Sequence, residues 1–263
     1  DLDAAMTASD SERLRHADFQ SLSASEFQLV ERLAKQVPLD LPTIFGRRLG
    51  SHTRGQRLDW SRALRDTQRF GGELLYLPRL RRKPQPLPLL VLVDVSGSME
   101  RYARLMLAFL HQATRGTPRQ VFAFGTGLTD LNPAFKLRDT DDMLALASRQ
   151  IQDFAGGTQL GQSLMQFRRQ HAKKLTGRRT VVLLISDGLD TGAAETLDSE
   201  VIWLKRHIRS LLWLNPLLRF EGYAPIATGA SVLNKHVNGM LAIHNLSRLE
   251  ELASALSKLL KSH

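Results

Sequence analysis

Three short segments of the chain set side-chain oxygens on glycine-bearing turns: Asp94-Val95-Ser96-Gly97-Ser98, Gly156-Gly157-Thr158 and Ser186-Asp187-Gly188. Hydroxyls and carboxylates, without His or Cys among them, select a hard divalent cation, Mg2+ first and Mn2+ or Ca2+ as alternatives. Ser96 and Ser98 are the expected direct hydroxyl ligands. Thr158 is a third, binding directly or through water, and Asp94 and Asp187 anchor the site directly or through water. Alternate side chains project to one side as a chain leaves a strand, and Gly97 lets the backbone bend closely round an ion. A cation held largely by neutral hydroxyls retains much of its charge, which leaves a position for a carboxylate from another molecule. Each segment alone has a plainer reading: Asp-x-Ser-x-Ser as a helix N-cap, Ser-Asp-Gly as a turn. The metal reading rests on all three falling at strand ends of one sheet.

That placement requires a particular scaffold. Leu89 to Val93 is an unbroken apolar run, the pattern of a strand buried on both faces of a parallel sheet. Helical spacing follows over Met99 to Thr114, a strand over Gln120 to Phe124, helices over Thr140 to Gln152 and Leu160 to His171, and a second buried strand over Thr180 to Ile185. Glu195 to Arg209 reads as a helix, Leu211 to Leu214 and Gly239 to Ile243 as strands, and Ser247 to Leu260 as a closing helix. Strands alternating with helices form right-handed βαβ units, so the expected fold is α/β, a doubly wound, mostly parallel sheet with helices on both faces. Ligands of such sheets gather beyond the carboxyl ends of the strands, near the switch in strand order.

Ahead of this domain, residues 1–22 are polar and aperiodic and read as a linker or disordered terminus. Ser23-Ala24-Ser25-Glu26 fits a capping box, followed by Phe27, Val30, Leu33, Ala34 and Val37 at helical spacing. Asp59 fits the N-cap of a second helix through Trp60, Ala63 and Leu64 that stops at Gly71-Gly72. Arg81 to Pro88 reads as a stiff extended connector with prolines at 84, 86 and 88. Residues 23–86 thus form a small helical, Arg-rich N-terminal segment, and 87–263 the main domain. Between Arg47 and Lys83 there are eleven Arg or Lys against three acids, most of the chain's net charge of +10. Such a stripe attracts something anionic, or else is a solvated arm.

Composition excludes several classes. At 263 residues, 43% hydrophobic and 24% charged, the chain is neither fibrous nor disordered, and no apolar run approaches the roughly 18 residues of a membrane span. With no cysteine, disulfides, thiolate metal sites and cysteine nucleophiles are absent, and the cytoplasm is the expected compartment. Because the chain starts at Asp1, an upstream segment is expected to have been cut away. An enzyme reading lacks its parts. A haloacid-dehalogenase-like phosphatase needs a second Asp where Ser96 stands. There is no P-loop, Gly125-Thr126-Gly127 lacks the third glycine of a dinucleotide fingerprint, and no His-Glu-x-x-His pair occurs. His111, His171 and His207 read as surface or cap residues, Trp203 and Trp213 as core, and Asn215-Pro216 as a turn able to shape a partner face.

The Asp-x-Ser-x-Ser motif with distant Thr158 and Asp187 resembles the metal-ion-dependent adhesion site of von Willebrand factor A domains, over about residues 87–263. Val91 to Met99, Phe124-Gly125-Thr126, Gly156 to Thr158, Leu184 to Gly188 and Trp213-Leu214-Asn215-Pro216-Leu217 are similar to the CoxE subfamily, as is the Arg-rich stretch Leu58 to Leu80. Trp213 to Leu217 and His244-Asn245-Leu246 discriminate the subfamily. The resemblance implies a non-catalytic accessory protein that works with a MoxR-type AAA+ ATPase in maturing a molybdenum hydroxylase of the carbon monoxide dehydrogenase type. Partner contacts are expected at Gly97, Gly157, Gly188, Leu189 and Asn215; Leu189 stands where the subfamily leads one to expect an aromatic. The alternative function is nucleic-acid binding through the Arg-rich segment, although Trp60, Phe70 and Tyr76 are few aromatics for base stacking.

Overall fold

The structure is a computed structural model that describes residues 8–39, 42–73, 76–151, 157–220 and 222–261. It divides into a large unit, residues 1–41 with 88–263, and a small unit, 42–87. Gly156 and Gln152, both named above, lie outside the described residues.

The large unit opens with helices α1 (Ala8–His16) and α2 (Ala24–Ala34), and continues with β4 (Leu89–Asp94), α4 (Glu100–Ala113), β5 (Arg119–Phe124), β6 (Leu128–Asp130), α5 (Asn132–Phe135), α6 (Thr140–Gln150), α7 (Leu160–Gln170), α8 (Ala172–Leu175), β7 (Val181–Ile185), α9 (Ala194–His207), β8 (Ser210–Asn215), α10 (Thr228–His236), β9 (Gly239–Ala242) and α11 (Leu246–Lys261). Its sheet runs β6-β5-β4-β7-β8-β9, parallel throughout except for β6, which lies antiparallel on β5. β4, β7 and β8 are buried along their whole length, which explains their unbroken apolar runs. The chain leaves β4 for β5 on one side and returns to β7 on the other, so strand order switches at β4.

Strand parity decides what meets what. Leu90 and Leu92 of β4, and Val182 and Leu184 of β7, point into the core formed with Leu164 and Phe167 of α7 and Val201 of α9. Side chains two apart share a face. The next positions on that face are Asp94 and Ser186, one step past the pair Val93 and Ile185 in the parallel register.

Several expectations change here. Residues 8–16 are helical and Phe19 and Leu22 are buried, so the first 22 residues include structured chain; their few apolar positions, spaced too irregularly to show periodicity, are enough to anchor it. The capping box at Ser23 and Glu26 is formed, and α2 packs on α4 and belongs to the large unit, whereas the Arg-rich stretch belongs to the small one. His111 is buried, with Nδ1 2.9 Å from Thr140 Oγ1 and Nε2 2.9 Å from the Leu137 carbonyl. Two partners satisfy both ring nitrogens, which is how a polar ring is accommodated inside. The short β6, α5 and α10 have no clear periodic signal in the sequence.

The small unit holds β1 (Thr43–Ser51), β2 (Arg57–Leu58), α3 (Trp60–Arg69) and β3 (Arg79–Pro86), with sheet order β1-β3-β2, antiparallel. Asp59 caps α3 as expected, its side chain accepting the Arg62 amide. The expected connector is instead strand β3. Beyond Leu80 it pairs, among the described residues, with β1 alone, and a strand with an open side tolerates Pro84 and Pro86, which have no amide to donate.

Candidate metal centre

Asp94 ends β4 with no exposed surface. Its Oδ1 accepts the Ser96 amide at 3.0 Å and its Oδ2 accepts the Ser186 hydroxyl at 2.8 Å. Thr158, just before α7, places Oγ1 3.4 and 3.5 Å from the two Asp94 oxygens. The turn after β4 then brings Ser96 Oγ within 3.3 Å of Ser98 Oγ, and Ser98 donates to Asp187 Oδ2 at 2.7 Å. Asp94, Ser96, Ser98, Thr158 and Asp187 therefore form one connected cluster at the carboxyl ends of β4 and β7, on the switch in strand order.

Further bonds support the cluster from outside the five expected ligands. Thr191 donates both its amide (2.8 Å) and its hydroxyl (2.9 Å) to the Thr158 carbonyl, and the Gln159 amide bonds Gly125 O at 2.8 Å. Asp190 Oδ1 accepts the Leu160 amide at 3.0 Å and so caps the start of α7. Ser186 was visible as part of Ser-Asp-Gly, but its bond to Asp94 follows from strand parity, a signal available once β4 and β7 are paired. The Trp213 indole donates to the Ser186 carbonyl at 2.8 Å.

Electrostatically the cluster is unbalanced. Asp94 and Asp187 are 0% and 3% exposed, and among the described residues neither has an ion-pair partner. Burial, opposed by hydrogen bonds from Ser96 and Ser186, pushes the Asp94 carboxyl up to about 6, and the nearby Asp187 charge adds to the rise. A hard divalent cation fits such a donor set: carboxylates and hydroxyls converge, and among the described residues no cation pairs with them. Among the described residues no group of three His, Cys, Asp or Glu forms an alternative site.

The expected contact residues separate into two groups. Gly97, Gly157 and Leu189 are exposed around the cluster, Leu189 at 50%. Gly188 and Asn215 are buried, which corrects their assignment to a partner face. Gly188 has φ +80°, and a Cβ there would lie 2.8 Å from Trp213 Cζ2. Asn215 accepts the Leu217 amide at 2.8 Å and donates to the Tyr223 hydroxyl at 3.0 Å, so it shapes the turn after β8 from within.

The model of the family described as VWA domain containing CoxE-like protein matches residues 30–249. The chain belongs to this family. The match reaches back through the small unit, beyond the residues 87–263 that carry the motifs. Among solved structures, this CoxE-like protein is similar to proximal thread matrix protein 1 from the mussel byssus, at 17% identity and TM-score 0.47, covering 66% of this chain and 48% of that one. A structure of that protein described as having a zinc occupied MIDAS motif aligns at 18% identity and TM-score 0.45, covering 66% and 48%. A von Willebrand factor type A protein from Catenulispora acidiphila aligns at 17% identity and TM-score 0.47, covering 69% and 44%. The chain thus spans about half the length of these structures. No curated protein matches the sequence. Among the described residues no helix is long and apolar enough to cross a membrane.

Proposed function

We propose that this CoxE-like protein is a non-catalytic, metal-dependent docking adaptor. The observation that carries the reading is the pair of buried carboxylates, Asp94 and Asp187, joined through hydroxyls and lacking any ion-pair partner among the described residues. Ser96, Ser98 and Thr158 add neutral oxygens, so the chain's own residues contribute two negative charges to the site. When bound, a hard divalent cation such as Mg2+ supplies the missing positive charge and a coordination position for a carboxylate from a partner. The exposed Gly97, Gly157 and Leu189 form the rim over which that partner seats. A charge-assisted contact of this kind contributes about 1.5–3 kcal/mol.

In this reading the partner is a MoxR-type AAA+ ATPase presenting an Asp or Glu, and the pair acts in the cytoplasm on the maturation of a molybdenum hydroxylase of the carbon monoxide dehydrogenase type. Family membership supports this assignment. The test is calorimetry of the two proteins in Mg2+ and in EDTA, with Asp94→Ala and Ser96→Ala. Binding is expected to vanish in EDTA and in both variants while far-ultraviolet circular dichroism stays unchanged. Equal affinity with and without chelator would overturn the metal bridge.

One observation favours nucleic-acid binding as a second reading. Arg47, Arg48, Arg54, Arg57, Arg65, Arg69, Arg82 and Lys83 of the small unit make no ion pair among the described residues, and Phe45, Trp60, Phe70 and Tyr76 are exposed. Cations without ion-pair partners and exposed aromatic rings on one unit suit single-stranded nucleic acid. A saturable RNA complex that survives moderate salt would establish it.

A further inference from the structure

The segment between α1 and α2 lies against the cluster. Phe19 and Leu22 are buried in the large unit, and Asp18, just before Phe19, organises the segment. Asp18 Oδ1 accepts the Gln20 amide and the Tyr102 hydroxyl, both at 2.8 Å, and Arg219 Nη1 sits 2.8 Å from Asp18 Oδ2 and 2.9 Å from the same hydroxyl. Tyr102 belongs to the first turn of α4, and Arg219 closes the short 3-10 turn Pro216–Arg219 after β8. Arg101 donates to the carbonyls of Gln20 (2.6 Å) and Leu22 (2.8 Å). On the far side, the Phe19 amide bonds the His244 carbonyl at 3.0 Å and Asn245 Nδ2 donates to the His16 carbonyl at 3.3 Å. The segment is thus tied to three separate places in the fold: the start of α4, the end of β8 and the turn before α11.

Gln20 Oε1 accepts from Arg219 Nη2 at 3.5 Å, and its side-chain amide nitrogen reaches the cluster itself. Gln20 Nε2 donates to the backbone carbonyl of Ser98 at 2.9 Å, and the hydroxyl of that same Ser98 donates to Asp187. Ser98 is exposed, in the short 3-10 turn Gly97–Met99.

We infer that Gln20, Asp18 and Arg219 are positioning residues for the candidate cation site: Asp18 and Arg219 lock the segment in place, and Gln20 passes that constraint to the Ser98 peptide, so that its hydroxyl is held ready to ligate. This rests on the docking-adaptor reading above. Groups that orient metal ligands without touching the metal change affinity by about 10–100-fold when removed, and a single hydrogen bond to a backbone carbonyl belongs at the lower end of that range.

The experiment is calorimetric titration of the full chain with Mn2+, comparing wild type, Gln20→Ala, Arg219→Ala and Arg219→Lys, alongside the melting temperature of each in EDTA. Gln20 is exposed, so its truncation leaves the EDTA melting temperature unchanged and separates ligand positioning from folding. The expected result is about tenfold weaker Mn2+ binding for Gln20→Ala and Arg219→Ala, with Arg219→Lys between these and wild type. Wild-type affinity in Gln20→Ala and Arg219→Ala would overturn the inference and leave the cation site standing. Failure of wild type itself to bind Mn2+ at millimolar concentration would overturn the cation site and the inference together.

Discussion

The hydroxyl of Ser186 donates to Asp94 Oδ2 at 2.8 Å across the boundary between β4 and β7. The two residues occupy the next step of a register that pairs Val93 with Ile185, so the bond follows directly from strand pairing. The same strand ends that build the core therefore deliver the cluster, and changes there are felt in both stability and binding.

Asp94 predicts a pH dependence. Burial raises its carboxyl from 3.8 to about 6, so the metal-free folded state holds the proton more tightly than the unfolded chain. That contribution to stability is complete below pH 3.8 and is lost as pH rises through about 6. Asp94→Asn is expected to stabilise the metal-free protein at pH 7.5 by on the order of 3 kcal/mol or less, and to flatten this slope. In saturating Mg2+ the order reverses, with wild type melting higher. Thermal melts between pH 4.5 and 8, with and without Mg2+, check both signs.

Ser186→Ala removes the donor to Asp94 and also the acceptor of the Gly188 amide, which sits 3.0 Å from Ser186 Oγ. A buried amide left without a partner costs about 1–3 kcal/mol. Denaturant melts are expected to show that loss, and the pH midpoint assigned to Asp94 is expected to move upward, since a bond that favours the ionised form is gone.

Gly188→Ala is expected to be severe. The backbone there is left-handed at φ +80°, and the new Cβ would meet Trp213 Cζ2 at 2.8 Å and Ala230 Cβ at 3.0 Å. Strain and overlap together cost roughly 2–5 kcal/mol, read as a lowered urea midpoint.

The small unit makes a salt-dependent prediction. If its unpaired arginines bind nucleic acid, log affinity falls linearly with log salt, and Arg47→Ala with Arg48→Ala reduces the slope by about 0.7 for each phosphate that is no longer neutralised. Under the docking-adaptor reading, RNA retention disappears in moderate salt without a saturable complex. Fluorescence anisotropy with a labelled oligonucleotide at several ionic strengths separates these outcomes.

The strands β4, β7 and β8 were legible because burial on both faces leaves a continuous apolar run, and the turns at Ser96 and Ser186 were legible because glycine and hydroxyl residues follow β4 and β7 at once. The small β-sheet was not, because exposed strands of Arg and Pro carry neither alternation nor an apolar run. The segment around Asp18 was missed for a different reason: its partners Tyr102, Arg219 and His244 are distant in sequence, and their meeting depends on how the helices close over the sheet. Asn215 and Gly188 were misjudged as surface because a polar or small residue after a strand reads as a turn whether it faces outward or, as here, inward.

The hydrogen bond from the Trp213 indole to the Ser186 carbonyl also equips the molecule with its own optical reporter. Of the three tryptophans, Trp60 is largely in solvent, Trp203 is half-buried, and Trp213 alone is wholly enclosed, one carbonyl away from the residue that grips Asp94. Emission at the blue edge of the spectrum therefore comes chiefly from Trp213, and a titration followed at that wavelength watches the end of β7 without any added dye.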